Sequence, residues 1–388
     1  MTSGRLVIVG GGPAALAAAR GFRAAGGTGA VTLVTPELSV PYQRPPLSKD
    51  FLRGETDEPD LPIEPATWYA EHDVEVRLGE TATSLDVAAR VVVLAGGELA
   101  HYDACVLATG AAAIPLPVAG ADHEAVRLLR SLAAARALRD HAARARRAVV
   151  IGSGFIGCEA AASLAMRGLR VTLISDEDVP HATRLGEDAG RRIAAWLEEH
   201  GVRLRLGAGV SAIERGTAVH VAGAADVVEA DLVVMAAGMR PQGALAETAG
   251  LAVHEGRVVV DERMRTSDPG VLAAGDVAWA RNAAAGRHLA VEHWGDALAM
   301  GEVAGRTTAG VDGAWDAAPG FWSTIGERTL KYAAWGDGHD ETRLVQHAGG
   351  GWTIWYGRAG TTVGVLCHDA DEDYERGRAL VERGAPLP

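Results

Sequence analysis

Two stretches of the chain repeat one pattern: a short, wholly apolar run, a glycine-rich turn, an alanine-rich segment, then a second apolar run that ends near an acidic residue. The first runs Leu6-Val7-Ile8-Val9, then Gly10-Gly11-Gly12-Pro13-Ala14-Ala15, then a predicted helix to about Ala25 and a strand from Val31 to Val34, with Glu37 beyond it. The second runs Val149-Val150-Ile151, then Gly152-Ser153-Gly154-Phe155-Ile156-Gly157, a helix to about Arg167, a strand from Val171 to Ile174, and Asp176-Glu177-Asp178. Unbroken apolar runs this short predict strands covered on both faces, as in parallel sheets. Parallel neighbours need a crossover, which the alanine-rich segments supply as helices.

Each unit is a βαβ dinucleotide fingerprint in its required setting. Gly10 and Gly152 make the turn, Gly12 and Gly154 let the backbone approach a pyrophosphate, and Ala15 and Gly157 are small enough for helix and strand to touch. The helix N-terminus then faces the anion with unpaired N–H groups and the positive end of its dipole. Glu37 and Asp176 lie near the distance along the chain expected of a carboxylate on the adenosine ribose. Two nucleotides in one chain imply an internal electron path between them.

Three further apolar runs end in small residues and glycine: Val106 to Gly110 through Thr109, Val233 to Gly238, and Val271 to Asp276 through Gly275. The simplest layout inserts one nucleotide domain into another, with Gly110 at the exit and Gly238 to Pro241 at the return. The expected domains are 1–111 with 240–312, 112–239, and 313–388. Five of the nine tryptophans fall in the last of these. Its alternating stretches around Leu330 to Trp335, Thr342 to Gln346, Trp352 to Tyr356 and Thr362 to Leu366 predict an antiparallel meander, closed by a helix from about Asp371 to Glu382. The fold class is α/β, with two Rossmann-like domains and a C-terminal α+β domain.

Composition narrows the function. Of 388 residues, 50 are acidic and 37 basic, and a net charge of −13 argues against a nucleic-acid binder. The uncharged run from Ala104 to Ala121 is interrupted by Gly110, Pro115, Pro117 and Gly120, so it reads as strand and linker rather than a membrane span. Gly10 to Pro13 would break the helix of a signal peptide, and that segment is expected to be structure. Cys105, Cys158 and Cys367 form no CxxC or CxxxxC pair, which suits a reducing cytoplasm. The 13 histidines form no HExxH, and no metal site is expected. Only Lys49 and Lys331 are lysines, so a lysine inside a proline-rich turn suggests that a compact ammonium is wanted there.

These motifs resemble those of the FAD-dependent pyridine nucleotide oxidoreductases, glutathione reductase-like in fold, and specifically the ferredoxin reductases that serve cytochrome P450s and aromatic-ring dioxygenases. The likeness spans nearly the whole chain: VIVGGGPAA, PYQRPPLSK at 41–49, ATG at 108–110, GSGFIGCE at 152–159, GMRP at 238–241, AAGD at 273–276, EHW at 292–294 and FWS at 321–323. It implies FAD at the first turn, NADH in preference to NADPH at the second, and a ferredoxin-type [2Fe-2S] acceptor, in a monomer or homodimer. Ala14, Lys49, Ala82, Arg130, Asp276 and Trp294 would contact FAD, with Arg44 nearby; Thr109, Gly110, Gly238, Gly275 and Glu292 join them by motif position. Asp276 is expected to head a helix. Lys49 would pair with Glu159 near the flavin, and Trp322 would lie beside its ring, making these three the expected catalytic residues. Phe155 and Ile156 would line the nicotinamide nucleotide site.

With no dithiol between residues 36 and 60, electrons would leave from the flavin itself. Rival readings are a reductase or oxidase handing electrons to a quinone or oxygen, and a redox-responsive protein like apoptosis-inducing factor. The chain departs from the family in four places: Thr324-Ile325 follow FWS, Gln43 replaces an acid, Pro36 stands at the usual FAD-ribose carboxylate with Glu37 as substitute, and Ser175 stands at the NADH-selecting carboxylate with Asp176 beside it.

Overall fold

The computed structural model describes residues 4–224 and 226–388. Leu6–Val9 lies at the centre of a five-stranded sheet in the order Val271–Ala273, Ala104–Leu107, Leu6–Val9, Val31–Thr35, Val74–Leu78, with every neighbouring pair parallel. All four residues of the central strand are buried, as its unbroken apolar sequence requires. A second five-stranded parallel sheet repeats the plan: Arg203–Arg205, Arg170–Ile174, Arg147–Ile151, Leu232–Met235, Val126–Leu128. In both, the strand feeding the glycine turn has its crossover partner on one side and a later strand on the other. Each turn therefore sits at a topological switch point, where an open α/β sheet leaves a crevice beyond its strand ends. The exit and return segments lie side by side as an antiparallel pair, Ala111–Ala113 against Met239–Pro241.

The first nucleotide helix, Pro13–Ala24, starts on a proline whose missing N–H costs nothing in the first turn. Its alanine face lies on the Trp294–Thr308 helix so closely that a Cβ on Gly301 would stand 2.3 Å from the Ala14 carbonyl oxygen, and one on Gly305 2.1 Å from that of Ala18. This contact fixes where Trp294 enters the cleft.

The third sheet corrects the expected meander. Its order is Gly320–Ile325, Arg328–Ala334, Thr361–His368, Trp352–Arg358, Glu341–Gln346. The last three strands in sequence do form a meander, but Arg328–Ala334 pairs with the final strand rather than with the next one. Small residues permit this pairing: Gly364 faces Ala334, and a Cβ on Gly364 would lie 2.9 Å from that of Ala334. Alternation identifies strands without ranking their neighbours. The strand Gly320–Ile325, which carries the FWS motif, turns back through Gly326 at φ +63°. The closing helix runs Asp371–Arg383.

One apolar core lies about the first sheet. A second joins the proline-rich segment (Tyr42, Leu47, Phe51) to the second sheet and to Ile325, Leu330 and Leu366 of the third. Among the described residues, no helix is long and apolar enough to cross a membrane.

Gly305→Ala should destabilise the protein by about 2 kcal/mol, because the added carbon meets backbone that cannot swing aside. Urea unfolding reads this, and an unchanged midpoint would show that the two helices separate without cost.

Candidate active site

The two glycine turns open into one cleft of about 1250 Å³. Gly10, Gly12 and Ala14 line it from the first turn, and Gly152, Gly154, Phe155 and Ile156 from the second. Ala15 and Gly157 sit behind the surface, at the helix–strand contacts: Ala15 is fully buried, and a Cβ on Gly157 would lie 2.1 Å from the Gly152 carbonyl oxygen. Gly10, at φ +137°, would drive a Cβ to within 2.0 Å of the Ala108 carbonyl. At Gly12, by contrast, the nearest atom to a Cβ is Arg44 Nε at 4.0 Å, and at Gly154 nothing lies within 4 Å. The space a side chain would fill at these two positions is open. Neither the Pro13–Ala24 helix nor Phe155–Met166 has a side-chain cap or an acidic residue in its first turn. Their N–H groups and positive ends thus form two anion cradles, which fit the pyrophosphates of two dinucleotides.

Charged residues are tied along the first-turn side of the cleft. Arg44 donates to Glu37 at 2.5 Å and to the Arg130 carbonyl at 2.9 Å; Arg130 donates to Asp276 at 2.5 Å and to the Ala111 carbonyl at 3.1 Å. Asp276 does not head a helix, contrary to expectation. Gly275, at φ +78°, turns the chain straight into the strand Ala278–Asn282, and the Ala278 amide donates to the Gly275 carbonyl. An arginine, not a helix dipole, holds the Asp276 carboxylate. Thr109 and Gln242 exchange two hydrogen bonds, Oγ1 to carbonyl at 2.8 Å and Nε2 to carbonyl at 3.0 Å. They lock exit to return beside Gly110 and Gly238, all of which line the cleft. Ala82 opens a strand at the wall, Trp294 begins its helix there, and Glu292 pairs with Arg257 at 2.5 Å.

Between the two cradles lies a buried ion pair. Lys49 Nζ donates to Glu159 Oε2 at 2.8 Å, with 7% and 3% of each residue exposed. Ser48 Oγ donates to the same oxygen at 2.5 Å, and Ser323 Oγ to Oε1 at 2.7 Å. Neither serine was legible as a site residue, since a lone hydroxyl carries no pattern; each merely adjoins a motif residue. Trp322, next to Ser323, lines the cleft and is 45% exposed.

On the second-turn side, Asp176 is exposed and lines the cleft. Glu177 is spent internally, accepting from Ser153 Oγ at 3.2 Å and from the amides of His181 and Thr183, both at 3.0 Å. His181 packs against Phe155 with ring centroids 3.8 Å apart and the planes tilted by 33°, and Phe155 meets Phe321 edge-on at 4.4 Å. Arg184 lies over both phenylalanine rings, at 5.8 and 5.4 Å. Sequence reading gave no role to His181 or Arg184, which lie outside every motif, nor to Phe321, which opens FWS. Burial, with Arg184 adding to it, pushes the His181 imidazole down to about 3, so the ring is neutral.

The three cysteines are free and buried, and none lines the cleft. Burial pushes the thiols of Cys105 and Cys158 well above their ordinary range and that of Cys367 up to about 12, which leaves them unreactive. Among the described residues, no group of His, Cys, Asp or Glu is arranged to hold a metal ion.

The chain is similar to known proteins over most of its length. Residues 4–301 match the family model described as pyridine nucleotide-disulphide oxidoreductase. The rubredoxin-NAD(+) reductase of Pseudomonas putida is 36% identical over 330 residues, which cover 84% of this chain and 85% of that protein. Rhodocoxin reductase of Rhodococcus erythropolis is 34% identical over 387 residues, covering 98% and 90%. Among solved structures, a chain of the covalent putidaredoxin reductase–putidaredoxin complex aligns with a TM-score of 0.94 at 29% identity, covering 100% of this chain and 94% of that one.

Lys49→Met should cost about 3–5 kcal/mol by leaving Glu159 charged and unpaired, and adding Glu159→Met should recover part of the loss. Denaturant unfolding of both singles and the double variant checks this; strictly additive losses would refute the coupling. His181 adds a pH dependence. Its folded pKa lies below the unfolded ~6.5, so the unfolded state binds the extra proton and stability falls as pH drops from about 6.5 towards 3. By pH 5 that loss is about 2 kcal/mol. The drop in urea midpoint between pH 7.5 and 5 should be smaller in His181→Gln than in wild type, and equal drops would count against it.

Proposed function

The chain belongs to the pyridine nucleotide-disulphide oxidoreductase family, and within it we propose a ferredoxin reductase, which passes electrons from NADH through FAD to a ferredoxin-type iron–sulfur protein supplying an oxygenase. The observation that carries this reading is one cleft with two anion cradles, a buried ammonium–carboxylate pair between them, and no thiol on its walls. A sulfur relay has no place to stand there.

The residues present fit both nucleotides. Gly10, Gly12 and Ala14 with Glu37, Arg44, Arg130 and Asp276 would hold FAD; Gly152, Gly154, Phe155, Ile156 and Asp176 would hold NADH. When bound, this pair supplies hydride transfer from the dihydronicotinamide to the flavin and release of single electrons to an outside carrier. The chain's own work is positioning and charge. Three donors, Ser48, Lys49 and Ser323, hold the Glu159 carboxylate, and that carboxylate keeps the Lys49 ammonium aimed at a single place. Phe155, held between His181 and Phe321, gives the second cradle an apolar wall that excludes water. Trp322 offers a flat, half-exposed face at the mouth, where an acceptor can approach.

Asp176 supports selection of NADH, since a free carboxylate beside the adenosine ribose repels a 2′-phosphate while Glu177 is occupied elsewhere. The division into 1–111 with 240–312, 112–239 and 313–388 belongs to the same reading. It is supported by Val271–Ala273 pairing with Ala104–Leu107 across the inserted segment. Three unpaired, buried cysteines support residence in a reducing cytoplasm.

The purified protein should be yellow, bleach with NADH in the absence of air, and recover its flavin absorbance at least tenfold faster with an oxidised [2Fe-2S] ferredoxin than with air or a quinone. Stopped-flow absorbance reads both steps. Reoxidation by air or quinone at the turnover rate, with no acceleration by ferredoxin, would overturn the assignment.

A further inference from the structure

One of the four departures from the family bears on the first nucleotide: proline stands where the ribose carboxylate is usual, and Glu37 follows it. The structure shows how Glu37 is held. Its amide donates to Thr35 Oγ1 at 3.2 Å, and its carbonyl accepts from the Gly79 amide at 3.1 Å. Arg44 Nη2 donates to Oε1 at 2.5 Å, and the Tyr42 phenol donates to Oε2, also at 2.5 Å. Tyr42 is itself fixed. Only 1% of it is exposed, its phenol oxygen accepts from the Leu132 amide at 2.8 Å, and the Arg44 guanidinium lies 5.0 Å from its ring centroid.

We infer that Tyr42 is a positioning residue for the adenosine end of FAD, orienting the displaced Glu37 carboxylate towards the ribose hydroxyls. This rests on the reading that FAD occupies the first glycine turn. A carboxylate offers about four acceptor sites. Tyr42 and Arg44 take one on each oxygen, leaving one on each, the number a vicinal diol can use. Glu37 lines the cleft with its side chain 24% exposed, so the remaining sites are accessible to a ligand while the phenol that steers them is not. Burial raises the Tyr42 phenol well above its ordinary pKa, so it remains a donor to Glu37 at any working pH. The helix begun at Leu132 already has a cap, Ser131 accepting from the Ala134 amide, so the phenol is not needed to start it. Its ring fills the core beside Leu47 and Phe51, a task phenylalanine performs equally.

The test uses the full-length apoprotein of wild type, Tyr42→Phe, Glu37→Gln and the double variant, titrated with FAD and, separately, with FMN, which lacks the adenosine. Flavin fluorescence quenching gives the Kd. Tyr42→Phe should weaken FAD about tenfold and leave FMN within twofold, and in the Glu37→Gln background the same change should have no further effect. Unchanged FAD affinity, equal weakening of FAD and FMN, or an undiminished effect without the Glu37 carboxylate would each overturn the assignment. So would failure of Tyr42→Phe to fold, since the hydroxyl would then serve the fold rather than the cofactor. Wild-type protein that binds neither flavin would instead overturn the reading beneath it.

Discussion

A carboxylate removed from water must be paired, or it costs several kcal/mol. Glu159 meets that demand with partners from distant parts of the chain: Ser48 and Lys49 from the proline-rich turn, and Ser323 from the third sheet, all converging on the second nucleotide helix. No one of these segments can bury its polar group alone. The pairing therefore sets the register among the proline-rich turn, the second parallel sheet and the antiparallel sheet, and the apolar cluster around it spans the same three parts. Placement of the half-exposed Trp322 follows, because it is carried on the strand whose next residue is tied to Glu159.

The same economy governs the cleft as a whole. Two helices begin without side-chain caps, which in an ordinary helix would leave first-turn donors wanting partners. Here the missing caps are the binding feature. Around them the charges are already committed to one another: Arg44 to Glu37, Arg130 to Asp276, Lys49 to Glu159. A site of this kind is ordered before ligand arrives, and less of the binding free energy is lost to fixing side chains. No cysteine stands on the cleft wall, within a family described by its disulphide chemistry.

Two expectations failed for related reasons. Asp276 is expected to head a helix, where an acid beside the N-terminus is favourable, yet the left-handed Gly275 sends the chain directly into a strand. The third sheet was expected to be a simple meander, yet its second strand lies beside its last. Local pattern records burial and backbone preference. It does not record which distant segment is small enough, or suitably charged, to become the neighbour.

The sequence by itself determined the two βαβ units, their glycine turns and the strands at their centres, because each is dictated by short-range chemistry: apolar runs buried on both faces, glycine where a Cβ would collide, proline in a first helical turn. It also holds no CxxC or CxxxxC pair. The tertiary structure decided the rest: that Ser48 and Ser323 complete the hold on Glu159, that Tyr42 grips Glu37, that Arg130 rather than a helix end fixes Asp276, and that His181 is buried against Phe155. Those contacts join residues from about five to more than 160 positions apart. A hydroxyl or an imidazole advertises nothing along the chain. It acquires a role only when folding removes water and leaves it one partner.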